Sequence, residues 1–262
     1  MHPAIRASRP LVFAHRGGSK IGLPAGAHSA KAGPENTLAA FDRGLSVGAD
    51  GLELDVHLSR DKTVVVHHDA RLDRTTRAKG LLNERTAEEL AALDVPALRD
   101  VLARYPDIGI IIELKERGAE LATAVVEEVR RANAISRVCL GSFSVSALRA
   151  ARAAAPGIMT SGARFEVRMA LYRSWCGLSP GRVPYQAFQV PETSGRTRVV
   201  SPRFVELAHK SGIAVQVWTV DEPEDIRRLL SWGVDGIISD RPDVAAEVVK
   251  DWVSRQSIVG SR

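Results

Sequence analysis

The strongest constraint on what this chain can fold into is an alternation. From Leu11 to Val253, short apolar runs of strand character take turns with stretches of helical periodicity. Such an alternation, kept up along a whole chain, is met by a parallel sheet whose faces are covered by the intervening helices. The strand-like runs are Leu11 to Ala14, Gly51 to Leu58, Ile108 to Leu114, Val138 to Phe143, Ile158 to Ser161, Gln186 to Val190, Ala214 to Val220 and Gly236 to Ser239. Eight strands with helices between them predict an α/β fold, the (β/α)8 TIM barrel, and 262 residues suits a barrel of about 250.

Helices are expected from Pro34, over Thr86 to Leu93, Ala97 to Arg104, Ala119 to Ala132, Ser144 to Ala154 and Pro223 to Trp232, and over Asp243 to Val253. Ser201 and Pro202 read as the N-cap and first turn of another, running to Lys210. The stretch before Gln186, with Trp175 and Pro180, is poorly patterned. Residues 58–105 are too long for one crossover and hold a further β-rich run, Thr63 to His67. They are predicted to form a small insertion after strand 2, on the rim of a single domain spanning 1–262. The loop from Gly17 to Gly33 is also far longer than a median connection of about 4–6 residues.

Composition narrows the partners. Lys plus Arg is 36 and Asp plus Glu is 31, and the +5 excess is diffuse, with no dense basic run interleaved with aromatics. No nucleic-acid partner is expected. No apolar run approaches the ~18 residues of a membrane span, and Leu11 to Ala14 is too short for a signal-peptide core. A cytoplasmic location is the default expectation. Cys139 and Cys176 lack metal-ligand spacing. Cys139 is expected to be a buried free thiol, although a disulfide remains open.

The chemistry concentrates between Leu11 and Thr76. Glu53 and Asp55 stand two apart in an apolar strand, so both point to one side. Carboxylates there need compensation. It comes either from a divalent cation or from a buried salt bridge to Arg16 or Lys115. Glu113, at the end of the next strand, tips the balance to the metal. Oxygen-only ligation favours Mg²⁺, Mn²⁺ or Ca²⁺ over Zn²⁺. His15 and the His67-His68 pair lie at strand ends near these carboxylates. Two imidazoles there suit proton transfer near neutral pH, whereas a single one would read as a hydrogen-bonded rim residue. Arg16 and Lys115 suit phosphate oxygens. Trp218 on the seventh strand faces either a ligand or the barrel wall. Phe188, Gln189 and Glu192 end the sixth strand, where an alcohol pocket would be shaped. Glu35 and Asn36 read as helix-start residues. His57 is read as just past the site, while His28 and His209 have no visible partner.

His15-Arg16-Gly17, Pro34-Glu35-Asn36-Thr37, Gly48-Ala49-Asp50 with Glu53 and Asp55, His68-Asp69 and Leu72-Asp73-Arg74-Thr75-Thr76 occur in that order. Glu113-Leu114-Lys115, Val217-Trp218-Thr219-Val220 and the Gly233 to Pro242 segment follow. The ordered set, over nearly the whole chain, resembles the glycerophosphodiester phosphodiesterase family. The resemblance implies a metal-dependent phosphodiesterase that releases sn-glycerol 3-phosphate and an alcohol from a small-molecule glycerophosphodiester. It puts metal-ligand roles on Glu53, Asp55 and Glu113, using Mg²⁺, Ca²⁺ or Mn²⁺. It puts catalytic roles on His15 and His68, with His67 then facing away, and substrate binding on Arg16, Lys115 and Trp218. It places the Pro34 to Thr37 segment beside the site, which keeps Asn36 as a candidate, and makes the 17–33 loop an insertion. Two other readings compete. One is a lysophospholipase D-like hydrolase, which needs an apolar rim. The other is a barrel that binds phosphodiesters without cleaving them, which would not need both histidines.

Overall fold

The computed structural model describes residues 2–5, 7–23 and 33–259. His28 and the middle of the 17–33 loop lie outside them. In chain order the elements are β1 (Leu11–His15), α1 (Leu38–Ser46), β2 (Gly51–Leu58), β3 (Val64–Val66), α2 (Ala87–Ala91), α3 (Leu98–Arg104), β4 (Gly109–Leu114), α4 (Ala119–Arg131), β5 (Val138–Gly141), α5 (Val145–Ala154), β6 (Met159–Thr160), α6 (Arg164–Trp175), β7 (Ala187–Pro191), β8 (Thr193–Ser194), β9 (Thr197–Arg198), α7 (Pro202–His209), β10 (Ala214–Trp218), α8 (Pro223–Ser231), β11 (Gly236–Ser239) and α9 (Pro242–Val259).

Eight of these strands pair in parallel, in the order β6-β5-β4-β2-β1-β11-β10-β7. A bridge between Ser161 and Ala187 joins β6 to β7, so the sheet closes into the expected TIM barrel. Residue parity sorts the strands. Leu11, Phe13, Ile111 and Ile238 pack together inside. Their neighbours Leu52, Leu54, Val56, Ile110, Ile112 and Leu114 pack outward against α3, α4 and α5. With both faces covered, β4 is an almost unbroken apolar run, whereas β2 alternates outward apolar residues with Glu53, Asp55 and His57. The polar exceptions are the residues of interest. Gly51 is required by this filling, because a Cβ there would lie 2.6 Å from the Phe13 ring.

The excursion after β2 starts with β3, which pairs antiparallel to β2. It has its own small core of Val65, Leu72, Leu82, Leu90 and Val95. α3 belongs to the main core through Leu98, Val101 and Leu102. Ser201 caps α7 as expected, accepting from Phe204 N–H.

Several expectations are corrected. Pro34 is not in a helical turn: α1 begins at Leu38, with Thr37 as N-cap accepting from Ala40 N–H at 3.1 Å. The poorly patterned stretch contains α6, whose large apolar side chains are spread around the helix instead of forming one buried stripe. That distribution hides the 3.6-residue period. The β8–β9 hairpin follows β7. His209 does have a partner, Asp235 Oδ2 at 2.7 Å. Cys139 is buried and Cys176 exposed, both free, and burial pushes the Cys139 thiol up to about 12. Among the described residues no helix is long and apolar enough to cross a membrane.

Candidate active site

The site lies at the carboxyl ends of the barrel strands, where the loops of this fold converge. Parallel register places His15 beside Glu53, and Asp55 beside Glu113. Carboxylate oxygens of Glu53, Asp55 and Glu113 all lie within 4.8 Å of one another. The salt-bridge alternative drawn from the sequence is realised on Asp55 and only partly elsewhere in the cluster. Asp55 takes the salt bridges, with Arg16 Nε and Lys115 Nζ each at 3.2 Å. For Glu53 the nearest cationic group is His15 Nε2, at 3.8 Å. Glu113 Oε1 is buried without a hydrogen bond, with Lys115 Nζ 3.5 Å away.

The charge therefore does not balance locally. Burial, and then the neighbouring Asp55, push the Glu53 carboxyl up to about 8. Burial also raises Glu113. Burial would raise Asp55 too, but Lys115 and Arg16 hold it low. A divalent cation among the three would supply the missing positive charge and a partner for Glu113 Oε1. Three clustered hard oxygen donors suit such an ion, so these residues fit it.

The turn after β1 is built for close approach. Arg16 has φ 52° and Gly17 φ 93°. A Cβ on Gly17 would meet Ala40 at 2.7 Å, within α1. Arg16 N–H donates to the Glu53 carbonyl at 2.8 Å. Asn36, also left-handed at φ 55°, donates its N–H to the Arg16 carbonyl at 2.8 Å. Its Nδ2 donates to Asp55 Oδ2 at 3.0 Å. The segment from Pro34 is thus a clamp on the turn and on Asp55.

Each candidate catalytic histidine is held at Nδ1 by a carboxylate. His15 Nδ1 lies 2.7 Å from Asp240 Oδ1, and His68 Nδ1 lies 2.6 Å from Asp69 Oδ1. This leaves Nε2 for the cavity. Both carboxylates are tied in turn to cations. Lys20 Nζ sits 3.0 Å from Asp240 and 2.8 Å from Asp221. Arg74 Nε donates to Asp69 at 2.6 Å, and its Nη2 donates to Glu35 at 2.6 Å. Burial would raise Asp240 and Asp69, but these partners bring both to about 2. Burial works against charge on His15, yet Glu53 and Asp240 outweigh it and its pKa rises. Burial lowers that of His68.

His15, Arg16, Glu53, His68, Glu113, Lys115 and Trp218 line one cavity of about 830 Å³. Residues 15–244 match the Glycerophosphoryl diester phosphodiesterase family.

The chain belongs to that family.

A glycerophosphodiester phosphodiesterase from Caldanaerobacter subterraneus subsp. tengcongensis is 31% identical over 261 residues, covering 92% of this chain and 98% of that one. The crystal structure of the glycerophosphodiester phosphodiesterase from Agrobacterium tumefaciens superposes with a TM-score of 0.71 at 27% identity, covering 90% of this chain and 99% of the other. A phosphodiesterase from Oleispira antarctica, solved with the product sn-glycerol-3-phosphate, shares the fold at TM-score 0.70 and 24% identity, over 92% and 97% of the two chains. The chain is accordingly a phosphoric diester hydrolase acting on glycerophosphodiesters.

Around the enzyme's cavity the sequence reading needs adjustment. Trp218 lines the cavity and meets Phe143 edge-on at 6.4 Å between ring centres. Of the three residues ending the sixth strand, only Gln189 reaches the cavity. Phe188 packs outward and Glu192 pairs with Arg228. His57 braces the His68 carbonyl through Nε2 at 3.2 Å. His67 spends its ring nitrogens on the Asp69 carbonyl and Thr75 Oγ1 and does not line the cavity. Asp240, Asp69, Lys20 and Arg74 were given no role from the sequence, and Glu35 was read only as a helix-start residue. All but Lys20 lie within quoted motifs, but nothing local shows that Asp240 would meet His15 or that Arg74 would meet Glu35.

Proposed function

We propose that this enzyme is metal-dependent and hydrolyses glycerophosphodiesters to sn-glycerol 3-phosphate and an alcohol. The observation that carries the reading is the under-compensated carboxylate triad set between two anchored imidazoles in one cavity. In this reading Glu53, Asp55 and Glu113 hold Mg²⁺, Ca²⁺ or Mn²⁺. Such an ion, when bound, supplies charge stabilisation at the phosphoryl oxygens. Arg16 and Lys115 add fixed positive charge where negative charge gathers in the transition state. His15 and His68 move protons through Nε2, one taking a proton from the attacking hydroxyl and the other delivering one to the departing alkoxide. Trp218 gives the substrate an apolar wall. The product found in the Oleispira antarctica relative supports the choice of product.

The test is release of glycerol 3-phosphate from glycerophosphocholine, glycerophosphoethanolamine and glycerophosphoglycerol, with EDTA or with each ion added. Turnover that needs the ion and is lost in Glu53→Gln supports the reading. Turnover that survives exhaustive chelation refutes it.

A second reading, lysophospholipase D-like cleavage, is favoured by one observation. Beyond the phosphate end the cavity is walled by Phe143, Leu171, Tyr172, Trp175 and Trp218. A small polar alcohol does not need that wall, and an acyl chain does. Lysophosphatidylcholine in the same panel, scored for lysophosphatidate, tests it.

A further inference from the structure

We propose that α6 and the turn after it form a docking face for an anionic lipid surface. Among the described residues, seven large hydrophobic side chains are substantially exposed. One, Leu81, lies in the excursion after β2. The other six are Phe143, Phe165, Met169, Tyr172, Trp175 and Leu178, each 44–57% exposed. Five of them belong to α6 or follow it directly, and Phe143 shares the cavity wall with Tyr172 and Trp175. Soluble surfaces scatter such residues singly, so a cluster of this kind marks a contact surface.

The helix shows what kind of contact. Phe165, Met169 and Tyr172 follow the i, i+4, i+7 spacing of one helical face. That face points to solvent, while Ala170, Leu171 and Ser174 are buried. Arg168 and Arg173 are exposed beside it, and the Arg168 guanidinium lies 5.4 Å from the Phe165 ring. From 160 to 190 the chain carries Arg164, Arg168, Arg173 and Arg182 against a single carboxylate, Glu166. Glu166 is turned onto Arg152 at 3.1 Å and so does not neutralise the face. Aromatic, Met and Leu side chains exposed beside Arg168 and Arg173 suit burial at the boundary of headgroups and acyl chains, and the arginines favour anionic headgroups. The same charge argues against a second copy of this chain. A two-fold contact would bring the face onto itself, arginine against arginine.

The location adds a consequence that rests on the function proposed above. Arg168, Tyr172 and Trp175 also line the catalytic cavity. Docking would therefore hold the cavity mouth at the lipid surface, and a lipid-derived diester could enter without crossing bulk water.

The experiment uses the full chain with phosphatidylcholine vesicles, prepared with and without phosphatidylglycerol, at low and high salt, and reads co-sedimentation. The comparison variant is Phe165→Ser/Met169→Ser/Arg173→Gln, whose three positions do not line the cavity. Wild type is expected to bind the anionic vesicles, less so the neutral ones, and to be released by salt. The variant should bind roughly tenfold more weakly or worse, since one basic residue alone is worth about fivefold. Its hydrolysis of soluble glycerophosphocholine should be unchanged. The proposal is overturned if wild type binds no vesicle, or if the variant binds as well. It also falls if wild type forms a concentration-dependent dimer that the variant abolishes. Vesicle binding is read without turnover, so failure of the hydrolytic reading and failure of the docking reading are separately visible.

Discussion

Lowering the pH should weaken divalent-cation binding steeply, because the carboxyl of Glu53 must lose a proton before it can serve as a ligand. In the cation-free enzyme that carboxyl is pushed up to about 8, first by burial and then by Asp55. Each pH unit below about 8 therefore costs about 1.4 kcal/mol of binding, or about tenfold in apparent Kd. From about pH 8 to about pH 6 the loss should reach roughly 100-fold. At about pH 7 some nine-tenths of the carboxyl is protonated, so close to one proton should leave per ion bound. Calorimetric titration with Mg²⁺ or Ca²⁺, in two buffers of different ionisation enthalpy, reads both quantities. The stability sign follows from the same shift. The native state keeps a proton that the unfolded chain gives up near 4.5, so stability falls as pH rises from about 4.5 to about 8. EDTA-treated enzyme should melt lower near pH 8 than near pH 6, and saturating cation should narrow the gap. Glu53→Gln should abolish the pH linkage along with most of the affinity. An apparent Kd that is flat between about pH 6 and 8, with no proton release, would refute the argument that Glu53 is held protonated until the ion arrives.

Three further outcomes are expected. Asp240→Asn should lower kcat by about tenfold or more, because an amide in place of the carboxylate removes the charge at His15 Nδ1 and no longer fixes the ring's tautomer. The Asp240 carboxyl sits at about 2 when folded, so it contributes about 2 kcal/mol above pH ~4, lost as pH falls toward 2. Acid unfolding of wild type and variant should therefore converge at the low end, and parallel curves would count against the ion pair. Asn36→Ala loses the bond to Asp55 and replaces a residue that tolerates the left-handed φ of 55° with one that tolerates it less well, for about 2–3 kcal/mol in denaturant unfolding. Asn36→Gly should recover the conformational part of that stability but not the activity, and full recovery of both would show that the clamp on Asp55 is dispensable. Gly51→Ala drives a methyl to within 2.6 Å of the Phe13 ring and should destabilise by about 1–3 kcal/mol, whereas an unchanged melting temperature would mean the barrel interior yields more easily than its packing implies.

Much of the architecture could be read from the chain because its signals are local. Strand runs such as Ile108 to Leu114 and caps such as Ser201-Pro202 declare themselves within a few residues. α6 could not be read this way, since Phe165, Met169, Tyr172 and Trp175 lie on the solvent side, where polar residues are expected. The start of α1 was misplaced for a related reason. Pro34 and Glu35 have first-turn chemistry, but the clamp on Arg16 and Asp55 holds that segment out of the helix.

The sequence by itself determined the alternation that closes the barrel, and the i, i+2 parity that puts Glu53 and Asp55 on one side of β2. It also determined the order of motifs that marks the family. The tertiary structure alone decided which charge meets which. Among the described residues it gives Arg16 and Lys115 to Asp55, leaves Glu53 without an arginine or lysine ion pair and Glu113 Oε1 without a hydrogen bond, and brings Asp240, just past the last strand, onto His15 from the first. The physical reason is range. Periodicity and capping act over a few residues, whereas the balance of charge in a buried site depends on residues up to 225 apart in sequence that meet only when the barrel closes.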